Sequence, residues 1–111
     1  MKIVVTGADG FLGWHLRVRL RALTDHHVEV VNRDNWSQLS DLMAGADAIL
    51  HVAGVNRGTD FEVEAGNINL ARHVVAAIRA AGAAPRIVFA NSIQSGNSTA
   101  YGTGKALAAA I

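Results

Sequence analysis

The chain has no cysteine, a single proline and few aromatic side chains, which make up 5% of its 111 residues. The lack of cysteine excludes disulfide bonds and thiolate metal sites. No apolar run approaches the roughly 20 residues that a membrane-spanning helix needs. The formal net charge of +1 is small, so neither a nucleic-acid partner nor an acidic membrane surface is expected.

The residues that are present predict a globular protein. Hydrophobic side chains make up 50% of the chain, and 111 residues suffice for one domain with a modest core. The N-terminus enters an apolar run directly, without the layout of a signal peptide, and we expect a cytoplasmic protein. We find no ligand cluster around His26 and His27, so no metal site is predicted.

Short apolar runs alternate with amphipathic segments along the chain. This alternation predicts an α/β fold with a parallel sheet, right-handed crossovers and strand order 2-1-3-4. The predicted strands span residues 2–6, 28–31, 48–52 and 86–90, and the predicted helices span residues 11–23, 36–44 and 64–81, with a last one starting near residue 101. On the first helix, the spacing places four leucines on the core face, namely Leu12, Leu16, Leu20 and Leu23.

A glycine-rich turn, Thr-Gly-Ala-Asp-Gly-Phe-Leu-Gly over residues 6–13, joins the first strand to the first helix. Gly7 allows a tight turn, Gly10 a close approach of phosphates, and Gly13 close packing of helix on strand. The free N–H groups and positive dipole end of the helix attract an anion, so the turn predicts binding of a dinucleotide pyrophosphate. An ordinary strand-to-helix turn is the alternative.

A doubly wound dinucleotide-binding fold usually has about six strands, whereas four are predicted here. The helix that starts near Tyr101 is still running at Ile111. We therefore interpret residues 1–111 as a Rossmann-like NAD(P)-binding domain that is the N-terminal portion of a longer protein, truncated before the substrate domain. A natural mini-domain is the alternative.

The end of the second strand bears on the choice between NAD and NADP. An NAD enzyme usually has an acidic residue there, about 20 residues after the glycines, to accept from the ribose 2′-hydroxyl. Here Asn32 is neutral and Arg33 follows, and a guanidinium pairs well with a 2′-phosphate. The pair favours NADP. Asp34 would be the ribose acceptor if the strand ended one residue later, and Arg33 could also be a solvated loop charge.

Tyr101 and Lys105 are spaced to share one face of the last predicted helix. A phenol has a pKa of about 10, and a nearby ammonium group lowers it toward the working range of a proton donor. Ser92, at the end of the fourth strand, would hold a substrate carbonyl oxygen, with Ser95 as the alternative. Lys105 can also hydrogen-bond the nicotinamide ribose.

Two further polar residues admit structural explanations. Asn67, on the long helix, is interpreted as orienting a water or a backbone carbonyl near the lysine, or else as a polar residue near the start of the helix. His51, inside an apolar strand, is interpreted as a structural histidine with satisfied hydrogen bonds rather than as a base or a metal ligand.

The Thr6–Gly13 turn, the run His51-Val52-Ala53-Gly54, Asn67, Ser92 and the Tyr101–Lys105 pair occur in the order typical of the extended short-chain dehydrogenase/reductases. The run through Arg57, the Gly66-Asn67 pair and Asn91-Ser92-Ile93-Gln94 resemble the capsular-polysaccharide branch, whose members reduce 4-keto UDP-N-acetyl-6-deoxyhexosamines. Ala90-Asn91-Ser92 departs from that family's usual run of three serines, and Gly104 is unfavourable inside a helix.

The resemblance implies NADP-dependent reduction of a 4-keto nucleotide sugar, with Tyr101 as proton donor, Ser92 polarising the ketone and Lys105 tuning the tyrosine. An epimerase or dehydratase with tightly bound NAD, and a catalytically idle dinucleotide-binding module, are the alternatives. The resemblance also implies a homodimer through the helices over residues 64–81 and 100–111. The implied cofactor contacts are Gly7, Gly10, Phe11, Leu12, Gly13, Asn32, Arg33, Val52, Ala53, Gly54, Asn67, Tyr101 and Lys105.

Overall fold

A computed structural model describes residues 1–55 and 57–90 of the chain. Its four strands form one parallel sheet in the order β2-β1-β3-β4, as the sequence predicts. Along the chain the elements are β1 (Lys2–Thr6), α1 (Phe11–Leu23), β2 (His27–Val31), a 3₁₀ turn (Trp36–Gln38), α2 (Leu39–Met43), β3 (Ala48–His51), α3 (Asp60–Ala81) and β4 (Arg86–Phe89).

The carboxyl ends of the four strands are level with one another. Thr6 pairs with Val31 on one side and with His51 on the other, and His51 pairs with Phe89. Because all four strands run in the same direction, the loops that follow them converge at one edge of the sheet. In open α/β sheets this edge is where ligands bind.

The sheet has a buried cluster on each face because successive strand residues point to opposite sides. Val4 and Ile49 face α2 and α3, where Met43 and Val74 complete the larger cluster. Ile3, Val5 and Ala8 form the smaller cluster on the opposite face. Within residues 1–55 and 57–90, no helix has both the length and the apolar character needed to cross a membrane.

The α1 surface differs from the prediction. Leu12 and Leu23 are 48% and 75% exposed, so the predicted four-leucine core face is wrong at both ends. Leu20 packs against the smaller cluster, and Gly13 is the buried residue of the helix. The helix packs on β1 and β2, and the two middle leucines of its apolar stripe, Leu16 and Leu20, are half-buried.

The long helix α3 starts four residues before its predicted start. The Thr59 hydroxyl caps it by accepting from the Glu62 amide at 3.1 Å, and Asp60 and Glu62 carry negative charge in the first turn. Both features stabilise a helix N-terminus. Asn67 therefore lies inside the helix rather than near its start. The predicted helix over residues 36–44 is divided into the 3₁₀ turn and α2.

Candidate cofactor site

A cavity of about 720 Å³ opens at the carboxyl edge of the sheet. Its volume lies in the range of about 300 to 1,000 Å³ that is usual for small-molecule sites. The glycine turn, the end of β2, the loop after β3 and one side of α3 all contribute to its walls. The lining residues are Gly7, Gly10, Phe11, Leu12, Gly13, Val31, Asn32, Arg33, Trp36, Val52, Ala53, Gly54, Val55, Leu70, His73 and Ala90.

The glycine turn is packed too tightly for side chains at two positions. Gly7 has a φ of 66°, and a Cβ there would lie 2.7 Å from the backbone nitrogen of Ala53. A Cβ on Gly13 would overlap the Gly7 carbonyl group, lying 2.7 Å from its carbon. The turn therefore brings bare backbone to the cavity, as the approach of a pyrophosphate requires.

The N-terminus of α1 is available to an anion. Its N-cap is Gly10, which has no side-chain oxygen to accept from the first N–H groups of the helix. These N–H groups and the positive end of the helix dipole are the usual components of a phosphate site. Asp9 carries a negative charge within the same turn, and Arg17 pairs with it at 3.3 Å. The pair partly offsets the repulsion that Asp9 would exert on a phosphate.

Thr6 ties the ends of β1 and β3 together. Its Oγ1 accepts from the backbone N–H groups of Val52 at 3.1 Å and Ala53 at 3.2 Å, so its own hydrogen is directed to Nδ1 of His51, 2.8 Å away. His51 is 3% exposed, and its ring stacks on Phe89 with 5.5 Å between centroids. As the sequence predicts, His51 is buried and hydrogen-bonded. Because Nδ1 accepts, the neutral ring carries its hydrogen on Nε2.

Asn67 holds the loop that follows β3. Its Oδ1 accepts from the Val55 amide at 3.1 Å, and its Nδ2 donates to the carbonyl oxygens of Val55 and Val63, each at 2.7 Å. Asn67 is 2% exposed, so it lies behind the loop. Asn67 thus holds backbone carbonyl groups, as one of the two interpretations of the sequence expects, although spacing did not identify Val55 as the partner. The proximity of this contact to Lys105 stays a prediction. The predicted direct contact with a cofactor stays a prediction.

Two asparagines shape the turn after β2, which ends at Val31 as predicted. Asn32 Oδ1 accepts from the backbone N–H of Asp34 at 2.9 Å, and the backbone N–H of Asn32 donates to Asn35 Oδ1 at 2.8 Å. The Asn32 side chain is therefore engaged within the turn. Arg33 is exposed and lines the cavity, whereas the exposed Asp34 is absent from its lining.

Trp36 and His73 form a wall of the cavity that the sequence did not predict. The indole Nε1 of Trp36 donates to Nδ1 of His73 at 3.3 Å, and the ring centroids are 6.3 Å apart. These residues are 37 positions apart and come from different elements. No local pattern pairs them.

The predicted catalytic residues Ser92, Tyr101 and Lys105, the alternative Ser95 and the loop residue Asn56 lie outside the described residues. The same is true of the predicted helix over residues 100–111 and of the dimer contact assigned to it. Those assignments stay predictions.

A sequence model of the NAD dependent epimerase/dehydratase family matches residues 3–109. The chain is also 35% identical over 107 residues to the UDP-2-acetamido-2,6-beta-L-arabino-hexul-4-ose reductase of Pseudomonas aeruginosa. That alignment covers 95% of this chain and 29% of the reductase, so the chain spans less than a third of that relative.

Two solved structures share the arrangement of strands and helices. The capsular polysaccharide assembling protein CapF from Staphylococcus aureus matches with a TM-score of 0.82 and 34% identity, over 99% of this chain and 29% of CapF. The UDP-glucuronic acid 4-epimerase from Bacillus cereus, in complex with NAD, matches with a TM-score of 0.82 and 20% identity, over 99% of this chain and 50% of the epimerase. The second likeness shows the fold alone.

Proposed function

The chain belongs to the NAD dependent epimerase/dehydratase family, and we propose that it forms the cofactor-binding part of an NADP-dependent reductase of a 4-keto nucleotide sugar. The observation that carries the proposal is the cavity built on the bare backbone of Gly7, Gly10 and Gly13, with Arg33 in its lining. The P. aeruginosa relative, a hexul-4-ose reductase, supports the choice of substrate class. The capsular polysaccharide assembling protein CapF supports a role in making surface-polysaccharide precursors.

The choice of NADP over NAD rests on the turn after β2. Arg33 has no ion pair within residues 1–55 and 57–90, so its guanidinium is available to a 2′-phosphate. Among residues 1–55 and 57–90, those that line the cavity include no aspartate or glutamate. A carboxylate there would accept from the 2′-hydroxyl of NAD and repel the phosphate of NADP.

In the proposed reaction the bound cofactor supplies a hydride to the ketone carbon. Residues of this chain would polarise the ketone and supply the proton. Ser92 donates a hydrogen bond to the ketone oxygen, and the Tyr101 hydroxyl gives its proton to that oxygen as the alcohol forms. Lys105 stabilises the tyrosinate that remains. The loop held by Asn67 would form the wall on the nicotinamide side, as the resemblance to the capsular-polysaccharide branch implies for Gly54 and Val55.

Titration with NADPH and NADH, followed by tryptophan fluorescence, tests the proposal. We expect both dinucleotides to bind and NADPH to bind more tightly. Absence of binding by either would overturn the cofactor assignment, and tighter binding of NADH would overturn the role of Arg33. Purified protein that retains NAD would favour an epimerase or dehydratase, which the name of the family also covers.

The catalytic assignment needs a separate test. In a protein that contains the whole of this chain, Tyr101→Phe should abolish NADPH consumption in the presence of a 4-keto UDP-sugar. The dissociation constant of NADPH should rise only a few-fold, because the substitution keeps the ring and removes only the hydroxyl contact to the cofactor. Unchanged turnover would contradict the assignment of Tyr101 as proton donor.

A further inference from the structure

The cavity contains an aromatic wall that the phosphate-binding features leave unexplained. Trp36 lies three residues after Arg33 in the turn that follows β2, and His73 lies on α3, one turn beyond Leu70. All four residues line the same cavity. The wall therefore adjoins the end of β2, where an open α/β sheet holds the adenosine half of a dinucleotide.

The hydrogen bond between the two rings determines where the His73 ring carries its hydrogen. An indole nitrogen can only donate, so Nδ1 of His73 must present a lone pair to Trp36 Nε1 at 3.3 Å. The neutral imidazole then carries its hydrogen on Nε2. Trp36 thus keeps His73 as a hydrogen-bond donor through the other nitrogen of the ring.

We propose that Trp36 and His73 recognise the adenine base of the dinucleotide, an inference that rests on the proposed function. His73 donates from Nε2 to a ring nitrogen of the base, and Trp36 positions the imidazole for that contact. Adenine suits this wall because it combines a flat aromatic surface with ring nitrogens that accept hydrogen bonds. Leu70 adds apolar surface one helical turn away.

Two parts of the cofactor would thus be recognised by different residues. Arg33 would distinguish NADPH from NADH through the 2′-phosphate, whereas the Trp36–His73 wall would contact a base that both cofactors share. Loss of the wall should therefore weaken both dinucleotides by the same factor and leave their ratio unchanged. Reduced nicotinamide mononucleotide has no adenine and should be unaffected.

The test is a titration of His73→Phe with NADPH, NADH and reduced nicotinamide mononucleotide. We expect the dissociation constants of both dinucleotides to rise roughly 2- to 10-fold, the effect of one lost hydrogen bond, with no change for the mononucleotide. Trp36→Phe should act in the same direction because it removes the N–H that orients His73. His73→Gln, which keeps an N–H donor, should recover part of the loss.

Trp14 provides the matched control, because it is the other tryptophan of the chain and does not line this cavity. Trp14→Phe should leave all three affinities unchanged and make Trp36 the sole tryptophan reporter. In that variant, binding of 2′,5′-ADP should change the fluorescence emission of Trp36. Because 2′,5′-ADP has no nicotinamide to which tryptophan could transfer energy, such a change would report a direct contact with the adenosine half.

The outcomes separate this inference from the function on which it rests. If the unmodified protein binds neither dinucleotide, both the proposed function and the adenine contact are overturned. If it binds them and His73→Phe binds them equally well, the adenine contact alone is overturned. A matching loss of mononucleotide binding would also overturn it, because the change would then be a general disturbance of the cavity.

Discussion

Thr6 Oγ1 and His51 Nδ1 lie 2.8 Å apart and join the carboxyl ends of two neighbouring strands. The same oxygen accepts from the two backbone amides that begin the loop after β3. One hydroxyl group therefore holds the edge of the sheet and the start of a wall of the cavity.

Thr6→Val should lower the free energy of unfolding by about 2 to 4 kcal/mol. The substitution keeps the shape of the side chain but removes the hydroxyl that bonds the buried His51 nitrogen and accepts from two backbone amides. Urea unfolding measures the change. Thr6→Ser, which keeps the hydroxyl, is the control, and its free energy of unfolding should fall by clearly less. Equal stability of the valine variant and the unmodified protein would contradict the role of the network.

Asn67→Ala should weaken binding at the nicotinamide end of the cavity. The substitution removes three hydrogen bonds, two of them to Val55, so the loop after β3 loses its attachment to α3. We expect the dissociation constant of reduced nicotinamide mononucleotide to rise several-fold, roughly the effect of one or two hydrogen bonds, with 2′,5′-ADP unaffected. Calorimetric titration checks both ligands.

Asn35→Ala is the reciprocal control for Asn67→Ala. Asn35 holds the turn that carries Arg33, through bonds to the Asn32 amide and the Val30 carbonyl group, each at 2.8 Å. Asn35→Ala should therefore weaken the binding of 2′,5′-ADP and leave the binding of reduced nicotinamide mononucleotide unchanged. The same pattern of losses in both variants would argue against separate positioning of the two ends.

Gly13→Ala should destabilise the fold by at least about 2 kcal/mol and abolish dinucleotide binding. Its Cβ would meet the backbone of Gly7 and Ala8, which has no flexible end to move aside. Gly66→Ala is the comparison, because its Cβ would meet the Val55 side chain at 2.8 Å and a side chain can shift. In thermal unfolding, the Tm of Gly66→Ala should be well above the Tm of Gly13→Ala. A stable Gly13→Ala that still binds NADPH would show that the close packing is unnecessary.

Arg33→Ala should reduce the preference for NADPH over NADH roughly tenfold, the effect of losing one charge-assisted hydrogen bond of about 1.5 kcal/mol or more. Asp34→Asn is the matched control, since Asp34 adjoins Arg33 but does not line the cavity. The ratio of the two dissociation constants measures both effects. A larger change from Asp34→Asn would instead support a ribose contact by that carboxylate.

The sequence was most informative where structure follows from near neighbours. The four strands, their order and the glycine turn depend on local apolar runs and on glycine spacing, and the structure has them as predicted. The start of α3 was missed because the first apolar residue of the helix, Phe61, is exposed and contributes nothing to the core, although the buried Val63 continues the core face seven residues before Leu70. The Thr59 cap was the available signal.

The site was predictable only in part, for a physical reason. The glycines and Arg33 could be identified because their chemistry depends on position relative to one strand. The Asn67–Val55 contact and the Trp36–His73 pair depend on how α3 packs across the sheet, which no spacing reports. Long-range pairs of this kind require the tertiary structure.

The close approach of Gly7 to Ala53 has a thermodynamic consequence. A Cβ on Gly7 would lie 2.7 Å from the Ala53 nitrogen, and the adjacent Thr6 hydroxyl accepts from the amides of Val52 and Ala53, so the glycine turn and the loop after β3 are packed and bonded against each other. Two walls of the cavity are thus preorganised before any ligand arrives. Binding then spends little conformational entropy on ordering these segments, and affinity is governed by the contacts that the ligand makes.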